Sequence, residues 1–282
     1  MKSYILFDGR LIERQDACLS SANRSFRYGD GLFETIKVCR GKVMWPEEHY
    51  YRLIRSAVAL KYIMPEALSL KEFSGLIMNL YKANHPQGEP ARIRFSLFRK
   101  DGGLYTPANN QVSFLIESEK LNNEGYGFQE RGLDIDIYPD QHKAVNKLSA
   151  LKTASALLFV MAAIYKQEKG YDDCILLNQC GNIAEATSSN VFVVLGDKLI
   201  TPGLDQGCVD GVMRGVLLKL SSKLSFKTKE APVHPSELFH ANEVFLTNTI
   251  SGITWVKRFR ERTYSNHIAR ELHQLLNAAA GC

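Results

Sequence analysis

Residues 118–131, SEKLNNEGYGFQER, carry neither the alternation of a strand nor the 3.6-residue period of a helix. A polar, glycine-bearing stretch of this kind joins separately packed bodies, so it constrains the fold before any motif is considered. It divides the 282 residues into a smaller part over 1–118, a linker over 119–131 and a larger part over 132–282. Each flanking part is long enough to enclose an apolar core of its own.

Both parts read as α+β. In the first, apolar runs at 4–7, 34–39 and 43–45 are separated by turn formers at Asp8-Gly9 and Arg40-Gly41, which predicts a meander of strands. Residues 46–62 then set Leu53, Ala57 and Leu60 on one helical face behind Pro46, and Phe73, Leu76, Ile77, Leu80 and Tyr81 mark a second helix. ARIRFSLF at 91–98 and QVSFLIE at 111–117 return to strand. In the second part GLDIDIY, DCILLN, NVFVVL and EVFLTN read as strands, with helices near 152–168, 211–224 and 264–278. Most connections are short hairpins rather than helical crossovers. The expected fold class is therefore α+β, two α/β domains with mixed, largely antiparallel sheets.

Lys and Arg exceed Asp and Glu by 35 to 30, and the positive charges are scattered rather than gathered into an arm or stripe. Nucleic acid is not an expected partner. Cys18, Cys39, Cys174, Cys180, Cys208 and Cys282 form no CxxC pair and no cluster at metal-ligand spacing, so buried free thiols and no metal are expected. The start MKSYILFDGRLIE has too short an apolar run for a signal peptide, and no stretch reaches bilayer-spanning length. Those features predict a reduced, cytoplasmic protein without a membrane partner.

Four local features carry candidate chemistry. GDGLFET (29–35) allows a tight backbone approach at its glycines but lacks the third glycine of a dinucleotide loop, and reads equally as a turn into a strand. Lys152 in ALKTASALL stands at the entrance of an apolar helix, where a solvated lysine is the ordinary occupant. Glu185 in EATSSNVFVV precedes small hydroxyl residues and Asn190, a polar turn entering a strand. In DGVMRGVLLKL (210–220) the amides of Val212 and Met213 open a helix, where unpaired N–H groups favour an anion, although any helix start offers this.

Order and spacing add what the single features lack. RYGDGLFET, EEHYYRLIRSA, LKT, GYDDCILLN, IAEATSSNVF, LITPGLDQGCVDGVMR and FLTNTISGITWV resemble, in sequence order, the motifs of class IV aminotransferases. That family includes branched-chain and D-amino-acid transaminases and 4-amino-4-deoxychorismate lyase, and the likeness runs from Phe7 to Val256. It implies the D-amino-acid aminotransferase-like fold, a pyridoxal 5'-phosphate cofactor bound mainly by the larger C-terminal domain, a homodimer and a small amino-carboxylate substrate. Lys152 matches the lysine that bonds to the cofactor and later acts as general base, a task for an amine that can be neutral. Glu185 matches the carboxylate facing the pyridine nitrogen. Arg52 matches the arginine that grips the phosphate, with the amides of Val212 and Met213 and with Thr249, and Asn190 joins the cofactor-binding set. Phe33 matches an aromatic lining the substrate pocket, with Tyr28 nearby.

Within the family three details resemble the lyase: Met213 in LDQGCVDGVMR, Gly252 in FLTNTISGI, and RKDGG at 99–103. Leu104, Ser155 and Arg92 depart from family patterns. The expectation is a lyase releasing pyruvate and 4-aminobenzoate, with an amino-acid transaminase of branched-chain or D-amino-acid type as the alternative, and a non-catalytic cofactor-binding protein further off. Arg94 and Arg99 are the candidate carboxylate ligands. They sit five apart on one strand, hence on opposite faces. Arg99 is the expected ligand and Arg94 the expected ion-pair residue.

Overall fold

The computed structural model describes residues 3–224 and 226–281. The chain separates into two compact units, residues 1–125 with 152–156, and residues 126–151 with 157–282. Leaving the first unit is thus not a single event: the five residues that begin with Lys152 belong with it.

The first unit contains β1 (Tyr4–Phe7), β2 (Arg10–Glu13), α1 (Arg24–Tyr28), β3 (Gly31–Cys39), β4 (Lys42–Val43), α2 (Pro46–Ala59), α3 (Leu70–Asn84), β5 (Ala91–Arg99) and β6 (Val112–Lys120). The strands form one sheet in the order β2-β1-β6-β5-β3-β4, every pairing antiparallel. β6 extends to Lys120, so the expected linker begins inside a strand. Pro46 opens α2, and the Ser69 hydroxyl caps α3 by accepting from the Glu72 amide at 3.2 Å. The α3 stripe Phe73, Leu76, Ile77, Leu80 and Tyr81 is buried as its spacing predicts. Phe73 packs on Phe95 with ring centroids 5.0 Å apart, which identifies the helix-covered face of the sheet. α2 differs, because its buried side also includes His49 and Arg52. Two polar groups on an inner face need a partner, and β3 supplies it.

The second unit contains β7 (Leu133–Ile137), α4 (Leu157–Lys169), β8 (Asp173–Leu177), β9 (Ile183–Ala186), β10 (Asn190–Leu195), β11 (Lys198–Thr201), α5 (Val212–Ser221), β12 (Lys227–Glu230), β13 (Glu243–Asn248), β14 (Gly252–Phe259), β15 (Arg262–Thr263) and α6 (His267–Ala280). Its sheet runs β12-β11-β10-β13-β14-β7-β8-β9, with β15 on β14; β7 pairs in parallel with β14 and β8, and β11 with β12. Ile135, Ile175, Val191, Val193, Val244, Leu246 and Val256 meet in one core, and α4 covers Cys174 and Leu176 through Ala162. The helix expected from residue 152 starts only at Leu157. Cys39, Cys174 and Cys208 are buried, whereas Cys18 and Cys180 are exposed, against the expectation for those two; Cys282 lies outside the described residues. No helix among the described residues is long and apolar enough to cross a membrane.

Candidate active site

In the first unit Lys152 lies not at a helix entrance but in an extended segment bridged to β3, where Leu32 faces Thr153. The Phe33 amide donates to the Lys152 carbonyl at 3.0 Å, and the Ala154 amide donates to the Gly31 carbonyl at 2.8 Å. Gly29 makes this approach possible. Its φ of +66° suits glycine, and a Cβ there would meet the Ser155 backbone at 3.3 Å. The Lys152 ammonium sits 4.5 Å from the centroid of the Phe33 ring.

Antiparallel register then decides which residues accompany the lysine. Phe33 pairs with Ser96 and Thr35 with Arg94, so these four share one face, the one turned away from α3. The Arg94 guanidinium stacks on the same Phe33 ring, 3.8 Å from its centroid, and donates to the Ser96 hydroxyl at 3.2 Å. Lys152, Phe33 and Arg94 are thereby brought together. Arg99 is not. Its Nε donates to Asp30 at 3.0 Å, Nη2 to the Leu60 carbonyl at 3.0 Å and Nη1 to Asn110, and the group stacks on Tyr62. An arginine so committed has few donors left over for a substrate carboxylate. Tyr28 stacks on Tyr105 at 5.5 Å beneath Arg24, apart from Phe33.

Arg52 occupies the helix-covered side. Its Nε donates to Glu34 Oε1 at 2.8 Å and its Nη2 to Oε2, while His49 Nδ1 contacts Oε2 at 2.7 Å. The Arg52 charge and these hydrogen bonds outweigh burial and hold the Glu34 carboxyl down at about 2. Burial lowers His49 below its ordinary range in spite of Glu34.

In the second unit Glu185 is 4% exposed, with Lys143 at one oxygen and the Val209 amide donating to the other at 3.1 Å. Asn190 Nδ2 donates to the Val209 carbonyl at 2.9 Å. The segment that opens α5 is thus held from both sides. Gly211 is the N-cap of α5 without a side-chain cap, and a Cβ on it would stand 1.9 Å from Asn190 Oδ1. The amides of Val212 and Met213, in the first turn of α5, are donors of the kind that an oxyanion such as a phosphate takes. Asn248 Oδ1 accepts from the Ile250 and Ser251 amides at 3.0 and 2.8 Å and so shapes the turn that carries Thr249. These donors and the Glu185 carboxylate are, in kind, what pyridoxal phosphate would need from the second unit, as the Lys152 amine is from the first. Lys143 is the residue that sequence reasoning missed, since one lysine in QHKAVNK bears no mark. Among the described residues no group of three or more His, Cys, Asp and Glu side chains could hold a metal ion.

The details that resembled the lyase have local causes. Met213 is 1% exposed in the α5 core. Gly252 has φ +73° and a Cβ there would strike the Tyr126 ring at 2.8 Å, and one on Gly103 would strike the Thr106 carbonyl oxygen at 2.2 Å. Each of these residues thus has a packing or backbone role of its own.

Gly211→Ala tests the α5 entrance. Overpacking of this kind costs about 1–3 kcal/mol, so cofactor affinity should fall roughly ten- to a hundredfold in a protein that still folds, as read by fluorescence titration. Unchanged affinity would place the phosphate elsewhere.

Comparison with known proteins agrees with the motifs. A probable branched-chain-amino-acid aminotransferase of Aquifex aeolicus is 28% identical, with 93% of this chain and 86% of the relative covered. An aminodeoxychorismate lyase of Bacillus subtilis is 27% identical, with 93% and 88% covered. The crystal structure of a branched-chain aminotransferase from Thermoproteus uzoniensis with norvaline superimposes with a TM-score of 0.89 at 24% identity, over 100% of this chain and 96% of the other, which shows the same fold. The profile of the family amino-transferase class IV matches residues 31–259, and the chain belongs to that family of pyridoxal-phosphate enzymes.

Proposed function

We propose that the chain is an amino-acid transaminase of branched-chain type rather than a lyase. The observation that carries this reading is the stacking of Arg94, not Arg99, on the Phe33 ring that also faces Lys152. The similarity to relatives named branched-chain aminotransferases supports it.

When bound, pyridoxal phosphate supplies an electrophilic carbon and a conjugated ring that delocalises the electron pair left at the substrate's α-carbon. Lys152 would hold the cofactor through its amine and, when that amine is free, would move the proton at the substrate's α-carbon. Glu185 offers a negative charge to the ring nitrogen. In the second unit the amides of Val212 and Met213 and Thr249 are the phosphate ligands, with Asn190 fixing the α5 entrance, while Arg52 stays with Glu34. Arg94 takes the substrate carboxylate in a charge-assisted pair, and Phe33 gives the side chain an apolar wall. The reading includes a homodimer, because α4 turns Leu157, Val160, Met161 and Ile164 outward at helical spacing, an apolar stripe that a second copy would cover.

The test is amino transfer from leucine, isoleucine or valine to a 2-oxo acid, set beside pyruvate release from 4-amino-4-deoxychorismate. Rapid pyruvate release without amino transfer would restore the lyase. Arg94→Met should raise KM about ten- to a hundredfold, the worth of a charged hydrogen bond of roughly 1.5–3 kcal/mol. Arg99→Met should instead lower thermal stability with little change in KM, and the reverse pattern would overturn the assignment of the carboxylate ligand.

A further inference from the structure

The Lys143 ammonium is among the most enclosed charges of the second unit. It is 8% exposed, yet none of the residue roles given above uses it. Its backbone is fixed beside β8, where its amide donates to the Leu177 carbonyl at 2.8 Å and its carbonyl accepts from the Gln179 amide at 3.2 Å. The side chain then reaches inward. It donates to the Ser149 carbonyl at 3.2 Å, lies 5.2 Å from the centroid of the Phe159 ring, and donates to Glu185 Oε1.

A carboxylate as enclosed as Glu185 needs a charged or hydrogen-bonding partner, because burying an unpaired charge is costly. Its other oxygen receives the Val209 amide. The remaining titratable and charged groups on the surrounding elements are otherwise engaged. Cys208 donates to the carbonyls of Pro202 and Gly203, and burial pushes its thiol up to about 12. Arg214 is held by Glu230 and the Pro202 carbonyl, and Asp173 by Thr187 and Lys166. Asp210, at the α5 entrance, is an acid and offers no cation to Glu185. Lys143 is the cation in contact.

We propose that Lys143 is a positioning residue, whose ammonium keeps the Glu185 carboxylate ionised and oriented so that it can serve as the anionic partner of the cofactor's ring nitrogen. The proposal rests on the family-based reading of Glu185. A buried ion pair is weak evidence for a stabilising role, since apolar replacements of similar volume often serve stability as well. What sets this pair apart is its link, through Val209 and Asn190, to the segment that opens α5.

Two measurements on the full chain separate the proposal from the reading beneath it. The first follows the Glu185 carboxyl by 13C NMR titration in cofactor-free protein. The second follows the ring nitrogen by 15N NMR after loading with ring-15N pyridoxal phosphate. In Lys143→Met the Glu185 titration should move upward, since its contacting cation is gone. At neutral pH the ring nitrogen should move toward its unprotonated shift, as it does in Glu185→Gln, and return as the pH passes the new Glu185 titration. Lys143→Arg should restore both parent signals. Lys143→Gln, which keeps hydrogen-bond donors without charge, should behave as the methionine variant does and serves if that variant fails to fold. An unmoved Glu185 titration in a folded, uncharged variant overturns the proposal. So does a ring shift that responds to Glu185→Gln but not to Lys143→Met. A ring shift that responds to neither overturns the reading of Glu185 itself.

Discussion

Lys152→Ala abolishes amino transfer and the visible absorbance of covalently held cofactor, because the Lys152 amine is the one we place at the reacting carbon. General base action is worth about two to four decades in rate, and loss of the covalent attachment adds to it. The backbone bridge at residues 152–154 uses main-chain atoms, so the variant should fold and melt near the parent temperature. Borohydride reduction that still fixes cofactor to another lysine would sink the assignment. External amines should restore a fraction of the rate by replacing the missing group.

Removing Arg52 should have the largest effect on stability. Glu34 is fully buried between Arg52 and His49, and Arg52→Met would leave its charge with an imidazole that burial keeps from protonating. Breaking such a pair costs about 3–5 kcal/mol, visible in chemical denaturation of cofactor-free protein. Parent-like stability would mean that water reaches the carboxylate. Glu34 also sets a pH dependence. Its folded pKa, near 2, lies below the ordinary value of 4.5, so its contribution is complete above about 4.5 and lost as pH falls toward 2. A depression of that size is worth on the order of 3 kcal/mol. Glu34→Gln should flatten the acid limb of the stability curve, and an unchanged limb would move the cause to other carboxylates.

Strands and helices with one apolar face were legible in the sequence: the α3 stripe from Phe73 to Tyr81 and the β5 run both stand where their periods put them. The inner polar side of α2 was not, because His49 and Arg52 are tolerated there only through Glu34, which is remote in sequence. Lys152 misled for a related reason. ALKTASALL has helical composition, yet pairing with β3 overrides local propensity, and such pairing leaves no local trace. That Arg94 and Arg99 face opposite ways followed from alternation alone. Which face is which needed α3 in place over Phe95. Met213, Gly252 and Gly103, read from the sequence as marks of a substrate, also answer to backbone and packing demands that only the structure displays.

The division of β3 and β5 into a covered face and a free one has a consequence for how such a chain can change. Phe33, Thr35, Arg94 and Ser96 sit opposite the core residues Ile36, Ile93, Phe95 and Leu97, and Lys152, the proposed reactive lysine, is hung from the β3 backbone rather than from any of their side chains. New specificities can therefore be written on that face one residue at a time, while the anchoring of the amine and the folding of the sheet stay as they are.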